Sequence, residues 1–185
     1  TGNTGLGILS GAGTVSVQTP GSITDVRTDA EKTAGMPNIT AEKAIVISEN
    51  GFIGTEEHPI SVEIGNQMKA SAEGDVNITT TENLSITADS QTGELNIEGQ
   101  KDLTVDNTQS SAGSTGNMLI GTIQAGGTAS VTAKGDMLAS DGSSLVSGDS
   151  IALDAVGSIG TPQQPLRVDT AAGSTGSGSL TAIGG

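Results

Sequence analysis

The sequence predicts an all-β fold: a single parallel β-helix, or β-solenoid, with about 19 residues per coil. Three observations carry that prediction. The first is a long-range echo. Residues 44–62, AIVISENGFIGTEEHPISV, align with residues 150–168, SIALDAVGSIGTPQQPLRV, at an offset of 106. They share Ile45/Ile151, Ile47/Leu153, Gly51/Gly157, Ile53/Ile159, Gly54/Gly160, Thr55/Thr161, Pro59/Pro165, Ile60/Leu166 and Val62/Val168. Upstream, LGILSGAGTVSV (6–17) matches IGTIQAGGTASV (120–131) at an offset of 114. The duplication thus covers about 6–79 and 120–185, and repetition at fixed spacing marks a solenoid. The second observation is a finer period. The apolar pairs Val76/Ile78, Leu84/Ile86, Leu95/Ile97 and Leu103/Val105 begin 8, 11 and 8 residues apart, so two strands and their turns fill 19 residues. The third is composition: 28 Gly, a single aromatic (Phe52), and no Cys, Trp or Tyr. A compact core normally uses several aromatics; a narrow coil interior suits Val, Ile, Leu and Ala. Strands of three to five residues are too short to stand alone, and stacking them from coil to coil buries their alternating apolar faces.

Taken in order, residues 1–27 give the first coils, with Val15, Val17 and Ile23 facing inward. Residues 28–37, TDAEKTAGMP, are polar and have no counterpart after Met137. The fall in offset from 114 to 106 makes them an ejected loop. Residues 44–64 place Ile45, Ile47, Ile53, Ile60 and Val62 inward and Val46 outward. MKASAEG (68–74) is the one window that suits a helical turn; Gly and β-branched residues oppose helix elsewhere. Residues 74–105 are the most regular coils, with Val76, Ile78, Leu84, Ile86, Leu95, Ile97, Leu103 and Val105 inside. Residues 106–118 and 170–179 form two further polar loops. In the second copy Val131, Ile151, Leu153, Ile159, Leu166 and Val168 face inward and Ala152 outward. The rival fold is an antiparallel β-sandwich, because Asn50-Gly51 is also a good hairpin turn.

The repeated Gly-x-Ile-Gly-Thr-x-x-x-Pro-apolar-x-Val motif reads as a corner. Gly51/Gly157 and Gly54/Gly160 supply turn conformations that a Cβ would penalise. Thr55 and Thr161 bond neighbouring backbone. Pro59 and Pro165 open a strand, one of the few sheet positions that tolerate Pro. His58, the only histidine, is replaced by Gln164 in the second copy, so the motif does not require imidazole chemistry there.

This motif, with Gly-punctuated L-x-I and V-x-I strands at 19-residue spacing, resembles the shafts of filamentous haemagglutinin-like adhesins. Within them it is most similar to the very large leukotoxin-like filamentous adhesins of anaerobic Gram-negative bacteria. The resemblance covers nearly the whole chain. It implies a right-handed β-helical rod, secreted by a two-partner route and displayed outside the outer membrane on the bacterial cell surface. The Asn-Pro-Asn-Gly and Asn-Pro-His-Leu motifs of the family's secretion domain are absent, so the resemblance implies a piece of the repetitive shaft. It carries no functional residues over.

The function expected is therefore structural: a shaft segment of a secreted adhesin supporting attachment to host cells or other bacteria. The chain opens at Thr1 without an initiator Met or leader, and both ends fall mid-repeat, so residues 1–185 read as one segment of a longer protein. Its partners would be neighbouring coils of the parent, with host glycan or protein as possible direct contacts. A binding module is the alternative function. The net charge of −14, from 21 acids against 7 bases, disfavours nucleic acid and anionic membrane. No apolar run approaches the ~20 residues of a membrane span. Without Cys there is no thiolate chemistry, and the reading expects no enzyme, catalytic site, cofactor or metal. A polysaccharide-cleaving β-helix would need clustered carboxylates, for which Asp25 and Asp29, alternating with Arg27, are the candidates. Calcium would need converging oxygens. Asp75, Glu82, Asp89, Glu94, Glu98, Asp102 and Asp106 are dispersed, although stacking would bring Glu82 near Lys101 and Glu94 near Asp75. Thr79–Thr81 and Thr87 prompt an ice-binding face, but stacked coils set Glu98 and Asp106 beside them. Asn38, Asn77 and Asn83 begin glycosylation sequons, a match common by chance.

Overall fold

The computed structural model describes residues 2–107, 116–170 and 178–185, so the loops expected at 106–118 and 170–179 lie mostly outside the described residues. The described chain is almost all strand: β1 (Thr4–Leu6), β2 (Leu9–Thr19), β3 (Ile23–Asp25), β4 (Ile39–Ser48), β5 (Ile60–Ala72), β6 (Val76–Thr80), β7 (Leu84–Ser90), β8 (Leu95–Gly99), β9 (Leu103–Asp106), β10 (Met118–Ala125), β11 (Thr128–Ala133), β12 (Met137–Ala139), β13 (Leu145–Ser147), β14 (Ser150–Ala155), β15 (Arg167–Asp169) and β16 (Ser179–Ile183). One helix, α1 (Asp29–Thr33), interrupts them.

Every pairing between described strands is parallel. Eleven strands form one path, β15-β13-β10-β8-β6-β5-β7-β9-β11-β14-β16. The path curls because long strands serve two columns. Ile60–Val62 of β5 pair with β6, whereas Met68–Ala72 pair with β7. Register shifts at Gly11/Thr14, Ala41/Lys43 and Ile120/Ile123 mark the bends, as β-bulges do. This all-parallel, curled sheet is compatible with a β-solenoid. Asn50-Gly51 turns between parallel strands, and no antiparallel hairpin occurs among the described residues.

The apolar alternation supplies the core. One inward column runs Val15–Ala44–Met68–Ile86–Val105–Val131–Leu153–Ala182 in register. Another runs Ile60–Ile78–Ile97–Ile123–Val146–Val168. Apolar sits on apolar, so each side chain packs above its predecessor. Burying a whole Ile or Val this way is worth roughly 1.5–3 kcal/mol.

The number of residues between paired positions varies. It is 18 from Ile60 to Ile78, 19 from Leu84 to Leu103 and 22 from Thr128 to Ser150, but 30 from Leu9 to Ile39. The expected 19 therefore describes the regular stretch and not the whole chain. Circuits lengthen where a segment leaves the sheet. In the 28–37 excursion, Thr28 and Glu31 form a reciprocal cap: the Thr28 hydroxyl accepts from Glu31 N at 3.3 Å and the Glu31 carboxylate from Thr28 N at 2.7 Å. Those bonds hold the Glu31 carboxyl below its ordinary range. Gly35, at φ +69°, follows the helix.

Most expected core residues are buried, with informative exceptions. Val46, expected outward, is fully buried, whereas Ile45 and Ile47 lie half-buried on the outer face. Four residues, Glu49–Phe52, separate the last buried residue of β4, Ser48, from Ile53. Only three, Val156–Ser158, separate Ala155 from Ile159. The gapless alignment on Gly51/Gly157 is thus one residue out of phase in the strand, and a one-residue slip exchanges the two faces. Ala152 is half-buried, and Val17, Ile159 and Leu166 pack on the core while partly exposed. Val168 sits in an inward column but is 37% exposed, because β15 is the outermost strand of its path. Residues 68–74, expected to form a helical turn, continue β5 through Ala72: Met68, Ala70 and Ala72 alternate inward, so sheet pairing overrides local propensity. Among the described residues no helix is long and apolar enough to cross a membrane.

Candidate functional site

The corner motif is built as the repeat suggested, with one change of mechanism. Gly54 and Gly160 have φ of +63° and +66°, and a Cβ at Gly54 would lie 2.6 Å from Asn77 O. Both reasons exclude a side chain. Gly51 and Gly157 do not have positive φ. Their constraint is close approach, since a Cβ would meet Ser22 Oγ at 2.4 Å and Asp136 Oδ1 at 2.2 Å respectively. In the first copy Thr55 N donates to His58 O and His58 N to Thr55 O, both at 3.1 Å. Thr161 and Gln164 repeat this at 3.0 and 3.2 Å. The Thr55 and Thr161 hydroxyls accept from the same amides, at 3.1 and 3.0 Å. The frame uses only backbone at position 58, which is why Gln replaces His without altering it.

The loop of the first copy borders a half-open cleft of about 270 Å³ against β6, β8 and β10. Asn77, Asn96 and Thr122 form its floor, with Pro59, Glu56 and Glu98 around it. Asn77 is buried. Its amide donates to Gly54 O at 3.2 Å and its carbonyl accepts from Asn96 Nδ2 at 3.0 Å, while Asn96 Oδ1 takes Thr122 N at 2.7 Å. The floor is a hydrogen-bonded ladder; Glu56 and Glu98 are exposed and engage no partner among the described residues.

Asp25 and Arg27 meet, but Asp29 does not join them. The Asp25 side chain is 1% exposed and that of Arg27 8%. Asp25 accepts from Arg27 N at 2.9 Å, Nε at 3.0 Å and Nη2 at 2.9 Å, and from Asn38 Nδ2 at 2.8 Å; Lys32 Nζ lies at 3.4 Å. Burial raises the carboxyl pKa, but the hydrogen bonds from Arg27 and Asn38 and the Arg27 charge outweigh it and hold it well below the carboxylate range. A carboxylate so saturated is poorly placed to shuttle protons near neutral pH. It pins the excursion: Arg27 also donates to Met36 O. Asp29 is exposed in the first turn of α1.

The dispersed acids and amides have a role that the sequence reading missed. Side-chain oxygens just before an inward residue accept the backbone N–H at the matching place one circuit on. Asp75 takes Glu94 N at 2.9 Å, Asn83 takes Asp102 N at 3.2 Å, Asp102 takes Thr128 N at 2.7 Å, Asn117 takes Asp136 N at 2.9 Å and Asp136 takes Ser158 N at 2.8 Å. The available signal was a polar residue preceding each apolar pair at the coil spacing: Asp75-Val76, Asn83-Leu84, Asp102-Leu103, Asn117-Met118, Asp136-Met137. Glu94 and Asp75 do meet, through backbone, and Glu82 forms an exposed ion pair with Lys101 as stacking required. Thr79 faces Glu98 and Thr87 faces Asp106 in register. Asp89 is buried opposite Ser71. Among the described residues no three acids or histidines converge to hold a metal. Of the sequon asparagines, Asn38 and Asn77 are buried and bonded to backbone; Asn83 is exposed.

No family model, curated protein or solved structure matches this chain.

Proposed function

We propose that this chain is a shaft segment of a large secreted bacterial surface adhesin, wound as one right-handed β-helix with a basic coil of about 19 residues. In this reading the segment supports attachment by holding a distal site away from the cell. What supports it is the inward column from Val15 to Ala182, which passes through every excursion without a break. A solenoid shaft requires a core that propagates by nearest-neighbour stacking. The corner oxygens support it too, since they are taken up in joining one circuit to the next. Its partners are adjoining coils, and its place is the extracellular face of the outer membrane.

Small-angle scattering of the purified chain tests this reading. An elongated particle, rising about 4.8 Å per circuit, is expected, together with cell binding far weaker than that of an intact adhesin. A spherical particle, or cell binding as tight as that of an intact adhesin, would overturn it.

A further inference from the structure

We propose that the cleft beneath the Thr55–His58 loop binds the guanidinium or ammonium group of a basic side chain on a partner polypeptide. This inference does not rest on the shaft reading. The same backbone frame is present twice, yet it carries Glu56-Glu57-His58 in one copy and Pro162-Gln163-Gln164 in the other. A fixed frame with a variable tip is how rigid scaffolds present binding loops. Only the first tip places a carboxylate, Glu56, over a cleft that a second carboxylate, Glu98, also borders. Among the described residues both lack a partner, and no Lys or Arg lines the cleft.

The floor favours the same ligand class. Asn77 and Asn96 have their carbonyl oxygens fixed by the ladder, so the surface is preorganised and polar. At about 270 Å³ the cleft has room for one side chain and not for a folded domain. Two carboxylates suit a planar guanidinium, which presents several donors in fixed directions. A hard metal ion wants six or more oxygens, and no three-acid group occurs among the described residues. The field of a chain with net charge −14 concentrates cations and repels nucleic acid.

The test is an NMR titration of the isotope-labelled chain, at low salt, with a capped pentapeptide carrying one arginine between glycines. Shifts are expected at Thr55–His58, Asn96, Glu98 and Thr122, with none at Thr161–Gln164. Lysine in place of arginine should retain binding, and glutamine should abolish it. Glu56→Gln and Glu98→Gln should each weaken affinity by about fivefold, the scale of a partly exposed ion pair. Glu73→Gln, an exposed carboxylate away from the cleft, should leave it unchanged. Shifts spread evenly over all surface carboxylates would overturn the proposal. So would equal binding of the glutamine peptide, or parental affinity in both cleft variants.

Discussion

The corner after Ile23 and the corner after Met137 occupy matching places, since each residue bridges to the Ile of a corner motif, Ile53 or Ile159. They are built differently. At the offset of 114, Asp25 corresponds to Ala139. Where Asp25 stands, a buried carboxylate holds Arg27, Lys32 and Asn38 and anchors a ten-residue excursion with its own helix. Where Ala139 stands, the chain turns within Ser140–Ser144. There Asp141 Oδ1 accepts from Ser143 N at 2.7 Å and Ser144 N at 3.1 Å. The hydrogen bonds from Ser143 and Ser144 lower the Asp141 carboxyl pKa, and this residue is exposed. The comparison teaches that the core sets where strands lie and leaves corner length open, provided each corner supplies its own polar closure.

The largest expected effect concerns strand phase. Val46→Asp puts a carboxylate among apolar neighbours and should cost more than about 3 kcal/mol, enough to unfold a marginal domain. Ile45→Asp, on the half-exposed face, should cost about 1 kcal/mol or less. Urea midpoints of the two variants decide it, and a reversed order would restore the gapless alignment.

Next comes the pinned corner. Asp25→Ala leaves Arg27 buried without its partner and should cost about 3 kcal/mol; Asp141→Ala should cost far less. The pH dependence has a defined sign. The folded pKa of Asp25 lies below the unfolded value of about 3.9, so its contribution is complete above that value. It is lost as pH falls through the lower folded value. Asp25→Asn should flatten the acid limb of the stability curve, read by denaturation from pH 5 downward. An unchanged limb would mean that Asp25 is not the pin.

The shared frame should respond equally in both copies. Gly54→Ala and Gly160→Ala each force a Cβ into left-handed backbone and should cost about 1–3 kcal/mol. A loss in only one copy would break the equivalence. Smallest are the corner clamps. Asp102→Ala should cost about 1 kcal/mol and Asp102→Asn, which keeps an acceptor oxygen, still less. Lys101→Ala should change stability by under about 1 kcal/mol, because its ion pair with Glu82 is exposed.

Much of this was legible in the sequence. Alternation at 74–105 placed Val76, Ile78, Leu95 and Ile97 correctly, because regular circuits carry the period without interruption. The duplicated Gly-Thr corner was legible because two copies isolate what the backbone demands. The phase at Ile45–Ile47 was not, since a single added residue in a turn leaves composition and motif intact while exchanging faces. The Asp25 pin was half-legible: Asp25 and Arg27 were visible as neighbours, but Lys32 and Asn38 reach them only through the return of the excursion. The cleft was illegible, because its floor comes from three separate circuits, at Asn77, Asn96 and Thr122.

The unequal circuits have a consequence for reach. In the proposed β-helix each circuit advances the stack by one sheet spacing, about 4.8 Å, whether it contains 18 residues, as from Ile60 to Ile78, or 30, as from Leu9 to Ile39. Axial length per residue therefore differs by more than half between two parts of one chain. A polypeptide made only to span distance would consist of circuits like those of 60–107. The added residues at 28–37 and 54–59 contribute nothing to height; they widen the profile at fixed levels. In the proposed shaft the chain would be a ruler with projections set at particular marks, and a second molecule could meet those projections without altering the length.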